Sequence, residues 1–249
     1  MKNKFQGNEI ISVHIGQTGC NIGVEFWAKM CIEEGLSKYE NPPSIKSGDR
    51  MSGAFFGEDG RGSLHPIAIF IDITSKCFSL PCSKHFTPLL DKSNIKLLEN
   101  ENLLNHFRSN IINNDKFLLM EIEDALINQL ERCNSFQGFF ITYSAGEPAS
   151  TNIGLKLHEM ISDTFEKELR FDFQIYNSRI PGSIEKINFE SNSAVWGHQF
   201  SDLVFPFQVN SILEKISGND YNSMSNSNSV NKIIADVISM ITYPLRRNL

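Results

Sequence analysis

The sequence predicts an α/β protein with a doubly wound, mostly parallel sheet and helices on both faces. Short apolar runs rich in β-branched and aromatic residues are typical of strands buried on both sides, and five are present: residues 10–15, 67–72, 139–143, 171–176 and 203–207. Amphipathic helical patterns lie between these runs. Strands that alternate with helices favour a parallel sheet, whose ligand crevice lies at the carboxyl ends of the strands.

The first strand leads directly into a glycine-rich turn and then into a helix, in the segment IISVHIGQTGCNIGVEFWAKMCIEEGL. At Gly16, Gly19 and Gly23 the missing Cβ lets backbone N–H groups approach a ligand. The N-terminus of the following helix carries a partial positive charge that suits phosphate oxygens. The pattern predicts a phosphate-binding turn, although a strand, a turn and a helix also join in proteins that bind nothing there.

Three later helices are predicted from apolar residues that recur on one face. The three series are Leu119, Ile122, Leu126, Leu130 and Cys133; Ile153, Leu157, Met160 and Ile161; and Val230, Ile233, Ile234, Val237, Ile238 and Ile241. We expect Pro244 to end the last helix, because proline cannot continue the backbone hydrogen-bond series. The polar stretch 217–229 is rich in Ser and Asn and is predicted to be a flexible loop.

Composition fits one folded domain over residues 1–249. With 41% hydrophobic and 21% charged residues, the chain can bury a sizeable core. A net charge of −6 without a basic stripe argues against nucleic acid as a partner. The chain has no apolar run long enough for a membrane span and no signal peptide, so we expect a cytoplasmic protein. Five scattered cysteines indicate reduced thiols, and Cys77 and Cys82 lack the spacing of a metal knuckle.

The glycine-rich turn and four later segments together resemble the N-terminal nucleotide-binding GTPase domain of the tubulins. The later segments are FFGEDGRGSLHPIAIFIDI, LERCNSFQGFFITYSAG, SDLVFPFQVNSILEKIS and SVNKIIADVISMITYPLR. The FFI and FDFQIY segments are more similar to the epsilon branch, which belongs to centrioles and basal bodies. The likeness ends at Arg246. It therefore implies a single nucleotide-binding domain that lacks the activating loop, second domain and acidic tail of a complete tubulin.

The resemblance implies a site for GTP or GDP with Mg²⁺. The positions that match the family's nucleotide contacts are Gly16, Gln17, Thr18, Asn21, Asp72, Ser144, Gly146 and Asn231. Gln17 and Asp72 are the implied metal residues, and no residue of this chain is assigned a catalytic role. Without the aligned context, Asp72 would be interpreted as an ordinary carboxylate at a strand end.

The second phosphate turn departs from the family's GGGTGSG pattern, because residues 146–152 read GEPASTN. Pro148 has no N–H to donate, and Glu147 places a carboxylate where phosphate charge would lie. Two unit charges about 4 Å apart repel by about 4 kcal/mol at an effective dielectric of about 20. The sequence predicts weak or lost GTP binding, unless Glu147 turns to solvent and Pro148 merely begins the next helix.

Three other positions also depart from the family. Leu104 replaces an asparagine of a phosphate loop, and Thr74 replaces an acidic residue that follows Asp72. Ser227 replaces the tyrosine that stacks on guanine, a contact worth about 1–3 kcal/mol. These replacements weaken the expected nucleotide recognition further.

The sequence favours a divergent tubulin-like protein that is a structural or binding component of a microtubule-related assembly. Tubulin or tubulin-related subunits are the expected partners, and the cytoskeleton is the expected location, with the epsilon likeness indicating the centriole or basal body. The alternative is a GTP-binding GTPase of the tubulin family that hydrolyses GTP only when a partner subunit supplies the activating loop. A third interpretation is a fragment without a role, which would expose apolar helix faces. The altered second turn favours loss of the GTPase activity.

Overall fold

A six-stranded sheet, in which every strand pair is parallel, forms the centre of the fold. The computed structural model describes residues 8–36, 53–58, 64–72, 75–97, 116–165, 167–177, 184–217 and 227–247. The strands are β1 Glu9–Ile15, β2 Phe56–Glu58, β3 Leu64–Pro66, β4 Ala68–Asp72, β5 Ile95–Leu97, β6 Phe136–Ala145, β7 Leu169–Tyr176 and β8 Leu203–Gln208. The large sheet has the order β5-β4-β1-β6-β7-β8, and β2 pairs with β3 in a separate antiparallel ribbon.

Helices cover both faces of the sheet, which confirms the doubly wound α/β class. They are α1 Gly16–Glu33, α2 Lys116–Leu130, α3 Pro148–Thr164, α4 Ile184–Phe200, α5 Val209–Ser217 and α6 Ser227–Arg247. Short 3-10 segments follow β4: Ser75–Ser79, Ser83–His85, Thr87–Leu89 and Lys92–Asn94. Alternate side chains of β1 and β6 point to opposite faces, so the core has two parts. One packs under α1 and α6, and the other packs under α2 and α3.

The five strands predicted from the sequence correspond to β1, β4, β6, β7 and β8, although Ile67 of the run 67–72 precedes β4. The sequence reasoning missed β5 and the β2–β3 ribbon, because these strands are only 3 residues long and no periodicity can be recognised over that length. The predicted apolar face 119–133 extends past the end of α2, since Cys133 lies in the following turn.

Two predictions about the C-terminal part need correction. Pro244 does not end the last helix but lies inside α6, which continues to Arg247. A proline in the final turn removes only one backbone hydrogen bond of the helix. One turn earlier, the Thr242 hydroxyl donates an additional hydrogen bond to the Ile238 carbonyl at 2.9 Å. The bounds predicted for the loop, 217–229, are too wide, since Ser217 ends α5 and residues 227–229 belong to α6. Residues 218–226 lie outside the described residues.

An ionic cluster fastens α6 to α1. The buried Arg246 guanidinium donates to Glu33 Oε2 at 2.6 Å and to the Ser239 carbonyl at 2.8 Å. A second ion pair joins the same two helices: Lys29 of α1, one turn before Glu33, contacts Asp236 of α6, with Nζ 2.7 Å from Oδ1. The cluster fixes the position of the helix that carries Asn231.

Candidate functional site

The crevice of the fold lies where the chain reverses direction across the sheet, between β1 and β6. The chain passes from β1 to β4 on one side and later to β6 on the other, which is a topological switch point. Ile15, the last residue of β1, pairs with Ile71 of β4 and with Tyr143 of β6. Gly16, Asp72 and Ser144 follow these paired residues and therefore meet at one edge of the sheet, as the sequence predicted.

Two helices begin at this edge. α1 starts directly after β1, and α3 starts shortly after β6; neither has a side-chain hydrogen bond from its N-cap residue. Since the first N–H groups of a helix have no partner within the helix, both N-termini present donors and partial positive charge. The backbone arrangement alone would attract an anion such as a phosphate group.

The first turn requires glycine at position 16. Gly16 has a φ of +71°, and a Cβ at this position would lie 2.8 Å from Cβ and Oγ of Ser150. Only glycine fits these two constraints without strain. Gln17 is exposed, and Thr18 and Asn21 are half-buried, so all three side chains reach the surface at the start of α1.

Gly19 and Gly23 do not have the role that the sequence pattern predicted for them. A Cβ on Gly19 would lie 2.5 Å from the Thr142 carbonyl oxygen, and a Cβ on Gly23 would lie 2.4 Å from Cγ of the His14 ring. Both glycines therefore face the sheet and allow α1 to pack closely on it. His14 is fully buried and accepts from Trp27 Nε1 at 3.2 Å, and burial lowers its pKa to about 3, so it is neutral.

The second turn uses several of its own polar groups internally. The Gly146 N–H donates to the Thr151 hydroxyl at 3.1 Å, and that hydroxyl donates to the Ser144 carbonyl at 3.2 Å. The Ser144 N–H donates to Ser150 Oγ at 3.1 Å, and the Ser150 hydroxyl donates to the Ile15 carbonyl at 3.1 Å. Two of the N–H groups that precede α3, those of Ser144 and Gly146, are thus occupied, and the Ser150 hydroxyl connects the second turn to the end of β1.

Three carboxylates surround this turn. Asp72 is buried at the end of β4, and Glu147 is half-buried at the start of α3. Burial and the charge of Asp72 raise the pKa of Glu147 above its usual value. Glu190 of α4 lies against the turn, since a Cβ on Gly146 would be 2.6 Å from its Cγ and 3.0 Å from its Oε1. Negative charge therefore accumulates where the backbone would attract an anion.

The sequence left open an alternative for the second turn, in which Pro148 merely begins the next helix and Glu147 turns to solvent. The structure agrees with the first part only. Pro148 does begin α3 at its first position, where the missing N–H costs nothing. Glu147, in contrast, does not turn fully to solvent, because burial and Asp72 both act on its carboxyl group. The Glu147 carboxyl group is thus only partly exposed and lies near enough to Asp72 for the two charges to interact.

The remaining predicted site residues lie farther from the turns or cannot be described. Asn231 is buried on α6, and this helix packs against α1. Leu104 and Thr74 lie outside the described residues, and so does the side chain of Ser227. The family-based expectations for these three positions therefore remain predictions.

A pair of thiols lies next to Asp72, which the sequence reasoning did not foresee. Cys20 on α1, Cys77 after β4 and Asp72 are all buried, and one ligand atom from each lies within 4.8 Å of the others. Burial, the Cys77 thiol and the charge of Asp72 raise the pKa of Cys20 well above its usual value. All five cysteines are free thiols.

Sequence signals for the overlooked residues differ. Ser150 and Thr151 stand at the start of a predicted helix, where hydroxyl side chains commonly bond to nearby backbone groups, so they could have been found. Glu190, Cys20 and Cys77 carry no such signal, because only the packing of α1, α4 and β4 brings them to the crevice.

A crevice at the switch point of a doubly wound sheet, lined by two helix N-termini, defines an α/β domain of the nucleotide-binding type. The model of the Tubulin/FtsZ family, GTPase domain, matches residues 9–217, and the chain belongs to this family. The expected family membership is thus confirmed. Within the described residues, none of the helices combines the length and the apolar character that crossing a membrane requires.

The chain is similar to alpha-tubulins of several eukaryotes. It is 24% identical over 245 residues to the tubulin alpha-3 chain of Saccharomyces cerevisiae, 25% over 244 residues to the tubulin alpha-2 chain of Schizosaccharomyces pombe, and 27% over 245 residues to the tubulin alpha-2B chain of Physarum polycephalum. Each alignment covers 96% of this chain and 54% of the relative. The chain therefore spans about half the length of the curated relatives it matches.

Proposed function

We propose that this chain is a divergent tubulin-like protein with impaired GTP binding that is a structural or binding component of a microtubule-related assembly. The acidic crevice is the observation that supports this proposal most strongly. Glu147 and Glu190 flank the second turn and Asp72 lies beside it, while the N–H groups of Ser144 and Gly146 already have side-chain acceptors. Phosphate groups would meet repulsion from these carboxylates, and two N–H groups of the second turn would not be available to them.

The repulsion is large enough to matter. A phosphate charge about 4 Å from one half-buried carboxylate is repelled by about 1–4 kcal/mol, depending on the effective dielectric. A loss of about 1.4 kcal/mol lowers the affinity tenfold. We therefore expect GTP with Mg²⁺ to bind at least tenfold more weakly to this chain than to the double variant Glu147→Gly/Pro148→Gly.

Isothermal titration calorimetry with GTP and Mg²⁺ measures both affinities. Glu159→Gln is the matched control, because Glu159 lies on the same helix, pairs with Lys156 and is absent from the crevice. The control should bind GTP as the parent chain does. Submicromolar binding by the parent chain, or no gain in the double variant, would contradict the proposed mechanism.

A GTPase that depends on its partner is the second candidate function. The retained first turn favours it, because Gly16 keeps its positive φ and α1 keeps an uncapped N-terminus. In this case a tubulin subunit would supply the activating loop. Phosphate release above the sum of the separate proteins, in a mixture of this chain with tubulin and GTP, would support it. Turnover by the chain alone would contradict both candidates.

Association through α6 is the third part of the proposal. Val230, Ile234 and Ile238 are buried in the core cluster that also contains residues of α1, so only part of the predicted apolar face is available. Of the predicted face, Ile241 is exposed near the C-terminal end of α6. Three exposed apolar residues outside the predicted series lie near it and complete an apolar patch: Met240, which is 69% exposed, Tyr243 and Leu245. Contiguous apolar patches commonly mark interaction sites. We propose a tubulin-related subunit as the partner that covers this patch.

Co-sedimentation with tubulin tests the patch. Met240→Glu should reduce co-sedimentation, since it places a charge in the apolar contact, while the circular dichroism spectrum stays unchanged. Val195→Glu is the matched control, because Val195 is 61% exposed on α4, outside the patch. If both variants and the parent chain behave alike, the patch is not the contact surface.

Association with tubulin would place the protein in the cytoplasm, on the cytoskeleton. The likeness to the epsilon branch specifies the centriole or basal body. Fluorescence microscopy of the tagged chain would test this location.

A further inference from the structure

We propose that Cys20, Cys77 and Asp72 form a binding site for Zn²⁺. The site lies on the α1 side of β4, beside the crevice, and it does not depend on the proposed function of the crevice. Each residue offers one ligand atom, and the three atoms lie within 4.8 Å of one another. Among the described residues, this is the group of His, Cys, Asp and Glu side chains that comes together closely enough to surround one ion.

The distances suit a tetrahedral ion after a small adjustment. With Zn–S bonds of about 2.3 Å and a Zn–O bond of about 2.1 Å, tetrahedral geometry puts the two sulfurs about 3.8 Å apart and each sulfur about 3.6 Å from the oxygen. Each pair of atoms thus needs to approach by at most about 1.2 Å, which side-chain rotation can supply. Cys20 and Asp72 belong to α1 and β4, two rigid elements of the core, so the site is largely formed before the ion binds.

The donor set selects zinc over magnesium. Mg²⁺ requires oxygen ligands in octahedral geometry, whereas Zn²⁺ accepts thiolate sulfur together with a carboxylate oxygen. Three protein ligands leave a fourth position, which a water molecule can occupy. The arrangement therefore differs from the magnesium site that the family resemblance implies, although both would use Asp72.

Zinc binding releases two protons, one from each thiol. The Cys20 thiol now contacts the carbonyl oxygens of His14 at 3.3 Å and Ile71 at 3.6 Å, and both contacts are given up when the thiol becomes a thiolate ligand. These contacts are weak, because sulfur is a poor hydrogen-bond donor. Two thiolates and one carboxylate carry three negative charges against the two positive charges of the ion. The two positive charges of the ion thus balance the two negative charges that deprotonation creates in a buried place, and the charge of Asp72 remains.

Cobalt(II) is a suitable spectroscopic probe, since Co²⁺ occupies tetrahedral zinc sites and its thiolate complexes absorb light. The metal-free, reduced chain is titrated with Co²⁺ in the absence of nucleotide. We expect a sulfur-to-cobalt charge-transfer band in the near ultraviolet and tetrahedral d–d bands in the visible range, which saturate at one ion per chain. Zn²⁺ should abolish these bands at one equivalent, whereas excess Mg²⁺ should leave them unchanged.

Variants show which thiols bind the ion. Cys77→Ala should lose the charge-transfer band, and Asp72→Asn should weaken Co²⁺ binding at least tenfold. Cys31→Ala is the matched control, because Cys31 is also a buried thiol of α1 but lies outside the cluster. It should retain the bands. In the parent chain, Zn²⁺ should also protect Cys20 and Cys77 from alkylation in partial denaturant, and mass spectrometry of the peptides measures this.

Several results would overturn the proposal. They are the absence of a charge-transfer band in the folded parent chain, a full band in Cys77→Ala, loss of the band in a folded Cys31→Ala variant, and displacement of Co²⁺ by Mg²⁺. The spectrum and the alkylation pattern of the parent chain decide the matter even if a variant fails to fold. Because all these measurements omit GTP, they do not depend on whether the crevice binds a nucleotide.

Discussion

Replacing Arg246 should show how firmly the last helix is held on the domain. The Arg246 side chain is 1% exposed and bonds to Glu33 Oε2 at 2.6 Å, to the Ser239 carbonyl at 2.8 Å and to Ser239 Oγ at 2.9 Å. Its guanidinium also lies 3.6 Å from Glu34 Oε1, on a side chain that is only 3% exposed. Arg246→Met keeps much of the apolar volume but leaves these acceptors without their cation.

The expected loss in the free energy of unfolding can be estimated from the burial of Arg246 and its acidic partners. Breaking a buried ion pair costs about 3–5 kcal/mol, because the remaining charge is left without its partner in a poorly solvated place. Glu33 is 30% exposed, so water relieves part of this cost. For Arg246→Met we therefore expect the free energy of unfolding to fall by about 2–4 kcal/mol, a discounted range.

Urea denaturation followed by circular dichroism measures this loss, provided that the slope of the transition stays constant. Lys29→Met is the matched control, because the Lys29–Asp236 pair joins the same two helices at 2.7 Å but both side chains are about a third exposed. That variant should lose less than about 1 kcal/mol. Equal losses in the two variants, or a loss below about 1 kcal/mol for Arg246→Met, would refute the reasoning.

Two further predictions concern the amino-terminal half. Gly16→Ala should lower the free energy of unfolding by at least about 1–2 kcal/mol in urea denaturation, because alanine is strained at a φ of +71° and its Cβ would lie 2.8 Å from Ser150. A loss below about 0.5 kcal/mol would show that this turn relaxes. Burial would raise the pKa of Glu9, but backbone N–H groups of Asn134 at 3.0 Å and Ser135 at 2.8 Å, together with those nearer in sequence, lower it below 4.5. A lowered pKa contributes stability above pH 4.5 that is lost as the pH falls below it. In a plot of the urea concentration at the unfolding midpoint against pH, Glu9→Gln should therefore make the decrease at acid pH less steep. An equally steep decrease at acid pH in the parent chain and in Glu9→Gln would show that the Glu9 carboxylate does not contribute to stability in this way.

The sequence predicted the fold well, because the fold depends on local patterns that repeat along the chain. The runs at 10–15 and 139–143 are mostly apolar and are buried over their whole length, and such runs identify strands that are covered on both faces. Short edge elements such as β5 escape this reasoning, since Ile95–Leu97 contains only one side-chain alternation. The behaviour of Pro244 escaped it for another reason, because a proline near the end of a helix is tolerated when packing holds the final turn.

Prediction of the candidate site was less complete. Gly16, Asp72 and Ser144 could be placed together from sequence, because each lies at or directly after the carboxyl end of a strand of one parallel sheet. The distinction between Gly16 and Gly19 could not, since it depends on which side of α1 faces Thr142. Contacts between distant segments, such as Cys20 with Cys77, leave no trace in local patterns. They become visible only when the helices are packed on the sheet.

The second turn also shows why the fold can persist when the site changes. In a turn built to hold phosphate, bare N–H groups are satisfied by the ligand, so losing the ligand leaves buried donors without partners, at a cost of about 1–3 kcal/mol each. Here the hydroxyls of Ser150 and Thr151 accept from the N–H groups of Ser144 and Gly146. The same hydroxyls donate to carbonyls of the adjoining strands. The turn is therefore stable without an anion, and Glu147 can occupy the crevice without weakening the domain. Removing the Glu147 charge alone should restore less GTP affinity than also returning glycine to position 148, because repulsion and donor supply are separate contributions.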